Sequence, residues 1–149
     1  MGTARYSPSD WAWRSAPSLA DFEALAETAF ARLPARFRRL CEGLVIRVED
    51  FPDEEVLEEM EAETEFDLLG LFRGRGLAQG EPASQTGQFP NMVWLFRRPI
   101  LDAWADSEDA LGALIANVLV HEIGHHFGLS DADMATIEAE AGEPGDNAS

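Results

Sequence analysis

The spacing of hydrophobic and polar positions predicts a mixed α+β domain. Ser18 and Asp21 predict the N-terminal cap of a helix whose apolar positions recur every three or four residues as far as Leu33. Pro34 interrupts this helix, which continues to about Cys41. Short apolar runs then predict three strands, at 44–48, 68–72 and 92–96.

The C-terminal third of the chain is predicted to be mostly helical. A short helix starts at Pro99. A long helix begins after a cap at Asp106 or Ser107 and runs to about Phe127. A terminal helix covers 132–140. Helices and short strands together predict an α+β fold.

The chain is predicted to form a single domain. Its 149 residues, 46% of them hydrophobic, are enough to bury one core, and no internal repeat is present. We expect an irregular arm over 1–17, the domain over 18–141 and a flexible tail over 142–149. Gly and Pro residues between 74 and 91 predict a long loop, which is a candidate wall of a binding cleft.

Composition excludes several classes of function. The chain has 28 Asp and Glu residues, 11 Arg and no Lys, for a net charge of −17. This charge disfavours nucleic acids and anionic membranes as partners. No apolar run approaches the roughly 18–20 residues of a membrane helix. A single cysteine, Cys41, excludes a disulfide framework, and no secretory leader pattern is present, so we expect a cytoplasmic protein.

Acidic residues are concentrated between 49 and 67, where eleven acids occur without a base. Pro52 precedes a predicted helix whose inward side is Val56, Leu57 and Met60. The segment fits a solvated acidic helix. A docking surface for a basic partner is the alternative, whereas a calcium site lacks the spacing of an EF-hand.

The candidate chemistry lies in the long C-terminal helix. His121 and His125 are four residues apart, so on a helix they project from one face and can bind one cation. Glu122 is offset around the helix and can hold a water at that cation without being a ligand. This is the His-Glu-x-x-His pattern of zinc hydrolases. Histidines buried in the core without a metal are the alternative.

A third ligand is expected soon after the helix. Gly128 can adopt a left-handed turn, which lets Asp131 return a carboxylate toward the two histidines. Three protein ligands and one open position are typical of a catalytic zinc site. Asp131 can instead cap the next helix, although Ser130 serves that role equally well. Asp133 is the first alternative ligand.

Other polar residues near the motif have less defined roles. His126 faces away from His125 and is expected to shape the cleft or to make outer contacts. Glu138 and Glu140 fit a solvated face of the last helix, although a zinc ligand from that helix remains an alternative.

The run HEIGHHFGLSD from His121 to Asp131, together with LLGLFRG at 68–74, resembles the small bacterial zincin-like metallopeptidases with a matrix-metalloproteinase-like domain. The resemblance covers about 18–140. It implies a minimal zincin-like α+β fold, with a small sheet of about three strands beside the motif helix. It implies one Zn²⁺ per chain held by His121, His125 and Asp131, with Glu122 as general base.

Two departures separate this chain from the wider metzincins. Asp131 stands where they have a third histidine. Met134 follows Asp131 too soon to be the methionine of their downstream turn, so we expect it in the core of the last helix.

The predicted function is a zinc-dependent peptidase acting on a peptide or protein substrate, with either 92–96 or 68–72 as the edge that binds the substrate. A residue to stabilise the oxyanion is not evident. Tyr6 lies in the arm, which leaves His126 or an arginine such as Arg97. A zinc-binding scaffold with little peptidase activity is the main alternative, and a hydrolase of non-peptide amides is another. Eleven acids and no base follow Arg98, which favours a dication and cationic substrates.

Overall fold

The computed structural model describes residues 8–74 and 90–142. Residues 1–7 of the predicted arm, 75–89 of the predicted loop and 143–149 of the predicted tail lie outside the described residues. The predicted domain boundaries therefore stay a prediction.

A three-stranded mixed sheet forms one layer of the fold. Its strands are β1 (Val45–Glu49), β2 (Gly70–Arg73) and β3 (Met92–Phe96), in the order β1-β3-β2. β1 is parallel to β3, with Val45 opposite Met92. β2 is antiparallel to β3, with Gly70 opposite Leu95. The three predicted strands are confirmed, and β3 lies in the centre of the sheet.

Helices account for most of the remaining described residues. They are α1 (Leu19–Ala31), α2 (Ala35–Arg38), α3 (Glu54–Glu59), α4 (Arg97–Ala105), α5 (Leu111–His126) and α6 (Asp131–Gly142). Short 3₁₀ helices cover Pro8–Trp13 and Arg39–Cys41. The α+β fold is therefore confirmed, as a small sheet packed beside the helix that carries the histidines.

Local capping chemistry explains where α1 begins but not where α5 begins. Ser18 caps α1 by accepting from the Asp21 N–H, and the Asp21 carboxylate accepts from the Ser18 N–H in return. The predicted cap of α5 is wrong. α5 starts at Leu111, after Ala110, because the Ser107 N–H bonds to the last turn of α4.

The acidic segment forms a short exposed helix. Asp53 caps α3 by accepting from the Val56 N–H. No residue of α3 is buried, and Met60, which we expected to face inward, is 45% exposed. The segment is thus solvated, in agreement with its charge.

The hydrophobic core lies on two sides of α5. One cluster joins α5 to α1, α4 and the sheet, and includes Phe22, Leu95, Ile100, Ile115 and Leu119. A second cluster joins it to α2 and α6, and includes Leu33, Phe37, Ile123, Met134 and Ile137. α5, which carries the histidine pair, is therefore buried on two sides.

A glycine turn reverses the chain after α5. Gly128 has φ +76°, a conformation that costs a glycine little. The Leu129 N–H bonds to the Gly124 carbonyl and the Gly128 N–H to the His125 carbonyl, which together form a Schellman motif. The predicted turn is therefore confirmed, and α6 runs back along α5.

α6 packs on α5 at a position where α5 has no side chain. A Cβ placed on Gly124 would lie 2.5 Å from Sδ of Met134, which is fully buried. This confirms the expectation that Met134 belongs to the core. The contact sets the distance between the motif helix and α6.

Gly124→Ala is expected to lower the free energy of unfolding by about 1–2 kcal/mol. Overpacking against Met134 costs about 1–3 kcal/mol, and the higher helix propensity of alanine offsets part of it. Gly112→Ala in the same helix is the control, since its Cβ would meet nothing within 4 Å. We expect that control to gain about 0.5–1 kcal/mol. Equal stability of the two variants in urea unfolding would contradict the close packing at Gly124.

Candidate metal centre

His121 and His125 are brought together by one turn of α5. Their ring centroids lie 5.7 Å apart. The His121 side chain is 37% exposed and His125 is exposed, so both rings are open to a ligand from solvent. Two neighbouring imidazoles on one helical face fit two of the three protein ligands of a catalytic zinc site.

Glu122 points toward the sheet. A Cβ on Gly70 of β2 would lie 3.3 Å from Cγ of Glu122, so the glycine leaves room for this side chain against the strand. Burial without a cationic partner raises the pKa of Glu122 to about 7. A carboxyl group with a pKa near neutrality is suited to exchange protons with water and substrate.

Ser130 and Asp133 cap the start of α6, and Asp131, which lies between them, takes no part in the cap. Ser130 accepts from the Asp133 N–H, and the Asp133 carboxylate accepts from the Ser130 N–H. Ser130 is thus the cap, and Asp133 is engaged with it. Asp131 is exposed, and within the described ranges its side chain makes no hydrogen bond or ion pair. Its carboxylate is not committed to capping.

His126 packs into an aromatic cluster rather than beside His125. Its ring meets Phe72 of β2 edge-on, with centroids 4.4 Å apart, and Phe127 at 4.9 Å. Its Nε2 would be 3.0 Å from a Cβ on Gly74. Burial lowers the pKa of His126. His126 therefore lies beside the end of β2.

Glu138 of α6 reaches the motif, a contact that the sequence analysis did not assign. Its Oε2 lies 3.1 Å from Nε2 of His121. The side-chain amide of Asn117 donates to both Glu138 oxygens at 3.1 Å. Spacing offers a signal for this group, because Asn117 is four residues before His121 on α5 and Glu138 is four after Met134 on α6.

Arg97, which we considered as an oxyanion-stabilising group, is engaged elsewhere in the fold. Arg97 donates to the Pro17 carbonyl at 2.6 Å and to Asp50 at 3.0 Å, so it holds the chain before α1 against the end of β1. Tyr6 lies outside the described residues.

The donor set fits zinc only in part. The two imidazoles are suitable ligands, and Glu122 lies beside them. Across 8–74 and 90–142, however, no three His, Cys, Asp or Glu side chains converge closely enough to hold a metal ion. A zinc site with three protein ligands would therefore require a third side chain to approach the histidine pair.

A helix with the His-Glu-x-x-His pattern beside a small mixed sheet defines a zincin-like protein. The sequence model of the zincin-like metallopeptidases matches residues 41–141, and the chain belongs to that family. A solved structure of a conserved hypothetical protein from Thermo thermophilus is similar, with a TM-score of 0.49 and 20% identity over 80% of this chain and 98% of that chain. No curated protein matches the chain.

No helix of the described ranges is both long and apolar enough to cross a bilayer.

Proposed function

We propose that the protein is a zinc-dependent peptidase that hydrolyses peptide bonds in a cleft between β2 and α6. The observation that carries this proposal is the position of Glu122, which is half-buried against β2 and one residue from His121. Membership of the zincin-like metallopeptidase family supports it.

His121 and His125 are the proposed imidazole ligands of one zinc ion per chain, and Asp131 is the proposed third. Asp131 is suited to this role because Ser130 and Asp133 cap α6 and leave its carboxylate without a partner among the described residues. When bound, zinc supplies a Lewis acid that polarises the substrate carbonyl and acidifies water.

Glu122 is the proposed general base and acid. As a carboxylate it accepts a proton from the attacking water, and as a carboxylic acid it returns that proton to the leaving amine. A pKa of about 7 makes both forms accessible near neutral pH. Gly70 leaves room for the Glu122 side chain beside the strand that we propose binds the substrate.

β2 is the strand that can hold an extended substrate. Of the two segments considered, 92–96 forms β3, which is paired on both sides and offers no free edge. β2 is paired with β3 on one side, and no other described strand occupies its second edge. A peptide added to that edge would gain main-chain hydrogen bonds next to Glu122.

The negative charge of the chain bears on its substrates, and its single cysteine bears on its location. The acids that follow Arg98 favour cationic peptides as substrates. A cytoplasmic location is supported by the single cysteine, Cys41, which is buried as a free thiol.

Glu122→Gln is expected to abolish peptide hydrolysis while zinc is still bound, because the amide cannot accept a proton. The measurement is cleavage of an unbiased peptide library, read by mass spectrometry, beside zinc content. Glu140→Gln is the matched control, since Glu140 is exposed and pairs with Arg36. We expect that control to cleave the library as the wild type does, with a preference for cationic peptides.

Two results would count against the peptidase. Undiminished cleavage by Glu122→Gln would remove Glu122 as the base. A wild-type protein that binds zinc but cleaves no peptide would favour the alternative function, a zinc-binding scaffold.

Asp131→Ala is expected to weaken zinc binding by about tenfold or more if Asp131 is a ligand. Competition with a chromophoric chelator measures the affinity. Asp133→Ala is the comparison, because it removes a carboxylate two residues away that the helix cap engages. A loss confined to Asp133→Ala would move the ligand to that residue.

A further inference from the structure

A chain of three polar side chains joins α5 to α6 next to the motif. The Asn117 amide donates to both oxygens of Glu138, and one of those oxygens lies 3.1 Å from Nε2 of His121. The Glu138 side chain is 29% exposed, so solvent reaches it only in part. Among the described residues, no arginine pairs with Glu138.

Packing between α5 and α6 places Glu138 next to His121. Met134 meets Gly124 of the motif at close range, and Glu138 is one turn further along α6. Because α6 runs back along α5 after the turn at Gly128, that next turn lies opposite His121. The contact thus follows from the fold and does not depend on a free surface side chain.

Asn117 is what holds the carboxylate in place. Asn117 and Glu138 both line a cavity of about 470 Å³ between α1, α5 and α6. On that side Glu138 meets open space instead of packed side chains. Two hydrogen bonds from Asn117 hold the carboxylate at the edge of this cavity.

We propose that Glu138, held by Asn117, is a positioning residue of the metal centre and acts through His121. This inference rests on the proposed zinc site. A carboxylate that accepts from one ring nitrogen of a ligand histidine restricts the rotation of that ring and leaves the other nitrogen, here Nδ1 of His121, for the metal. Removal of such a partner typically costs about 10–100-fold in metal affinity. His125 has no such partner among the described residues, so His121 is the preorganised member of the pair.

The test compares Glu138→Gln, Asn117→Ala and, as a matched control, Glu140→Gln on the same helix. Zinc affinity is measured by chelator competition. We expect it to fall about 10–100-fold in Glu138→Gln and by a smaller factor in Asn117→Ala. The control is expected to match the wild type. Circular dichroism of each variant checks that the fold is retained.

Two spectra separate positioning from a merely structural role and from direct ligation. In the metal-free protein, imidazole ¹⁵N resonances of His121 should shift in Glu138→Gln, while those of His126 stay unchanged. The cobalt-substituted protein should keep its visible absorption bands in that variant. Altered cobalt bands would make Glu138 a ligand and overturn the positioning role.

The role of Glu138 and the zinc site can be tested separately. Glu138→Gln that folds and binds zinc as tightly as the wild type overturns the role of Glu138 alone. A wild-type protein that takes up no zinc overturns the zinc site itself, and the role of Glu138 with it.

Discussion

The close approach of two elements to α5 is the constraint on which the site depends. At Gly70, β2 comes near enough for a Cβ to collide with Val118 and the β3 backbone. At Gly124, α6 comes near enough for a Cβ to collide with Met134. These two glycines let a strand and a helix flank the same turns of α5. As a result Glu122 lies against the strand and His121 lies against α6.

Features that follow from nearby residues could be predicted from the sequence. The motif on α5, the cap at Ser18, the turn at Gly128 and the three strands each depend on a short stretch of chain. The start of α5 could not, because Ser107 is used by the preceding helix. The sequence predicts a solvated face for Glu138, with a zinc ligand as the alternative. Its contact with His121 could not be predicted, because it requires the packing at Gly124, which joins residues far apart in the chain.

Several of the acidic residues of this chain lie near the histidine pair. Glu122 is half-buried without a cation beside it, Glu138 touches His121, and Asp131 is uncommitted among the described residues. Burial of a carboxylate without a counter-charge, as at Glu122, raises the free energy of the folded protein. A divalent cation at the histidine pair would relieve that cost. The net charge of −17, from which we expect no nucleic-acid partner, thereby also favours the proposed metal.

Zinc binding by the histidine pair is the central claim, and native mass spectrometry of the metal-free protein titrated with zinc tests it most directly. We expect one zinc ion per chain for the wild type and for His126→Ala, because the His126 ring packs on Phe72 and Phe127. We expect loss of that zinc in His121→Ala and in His125→Ala. Equal zinc uptake by all four proteins would contradict it.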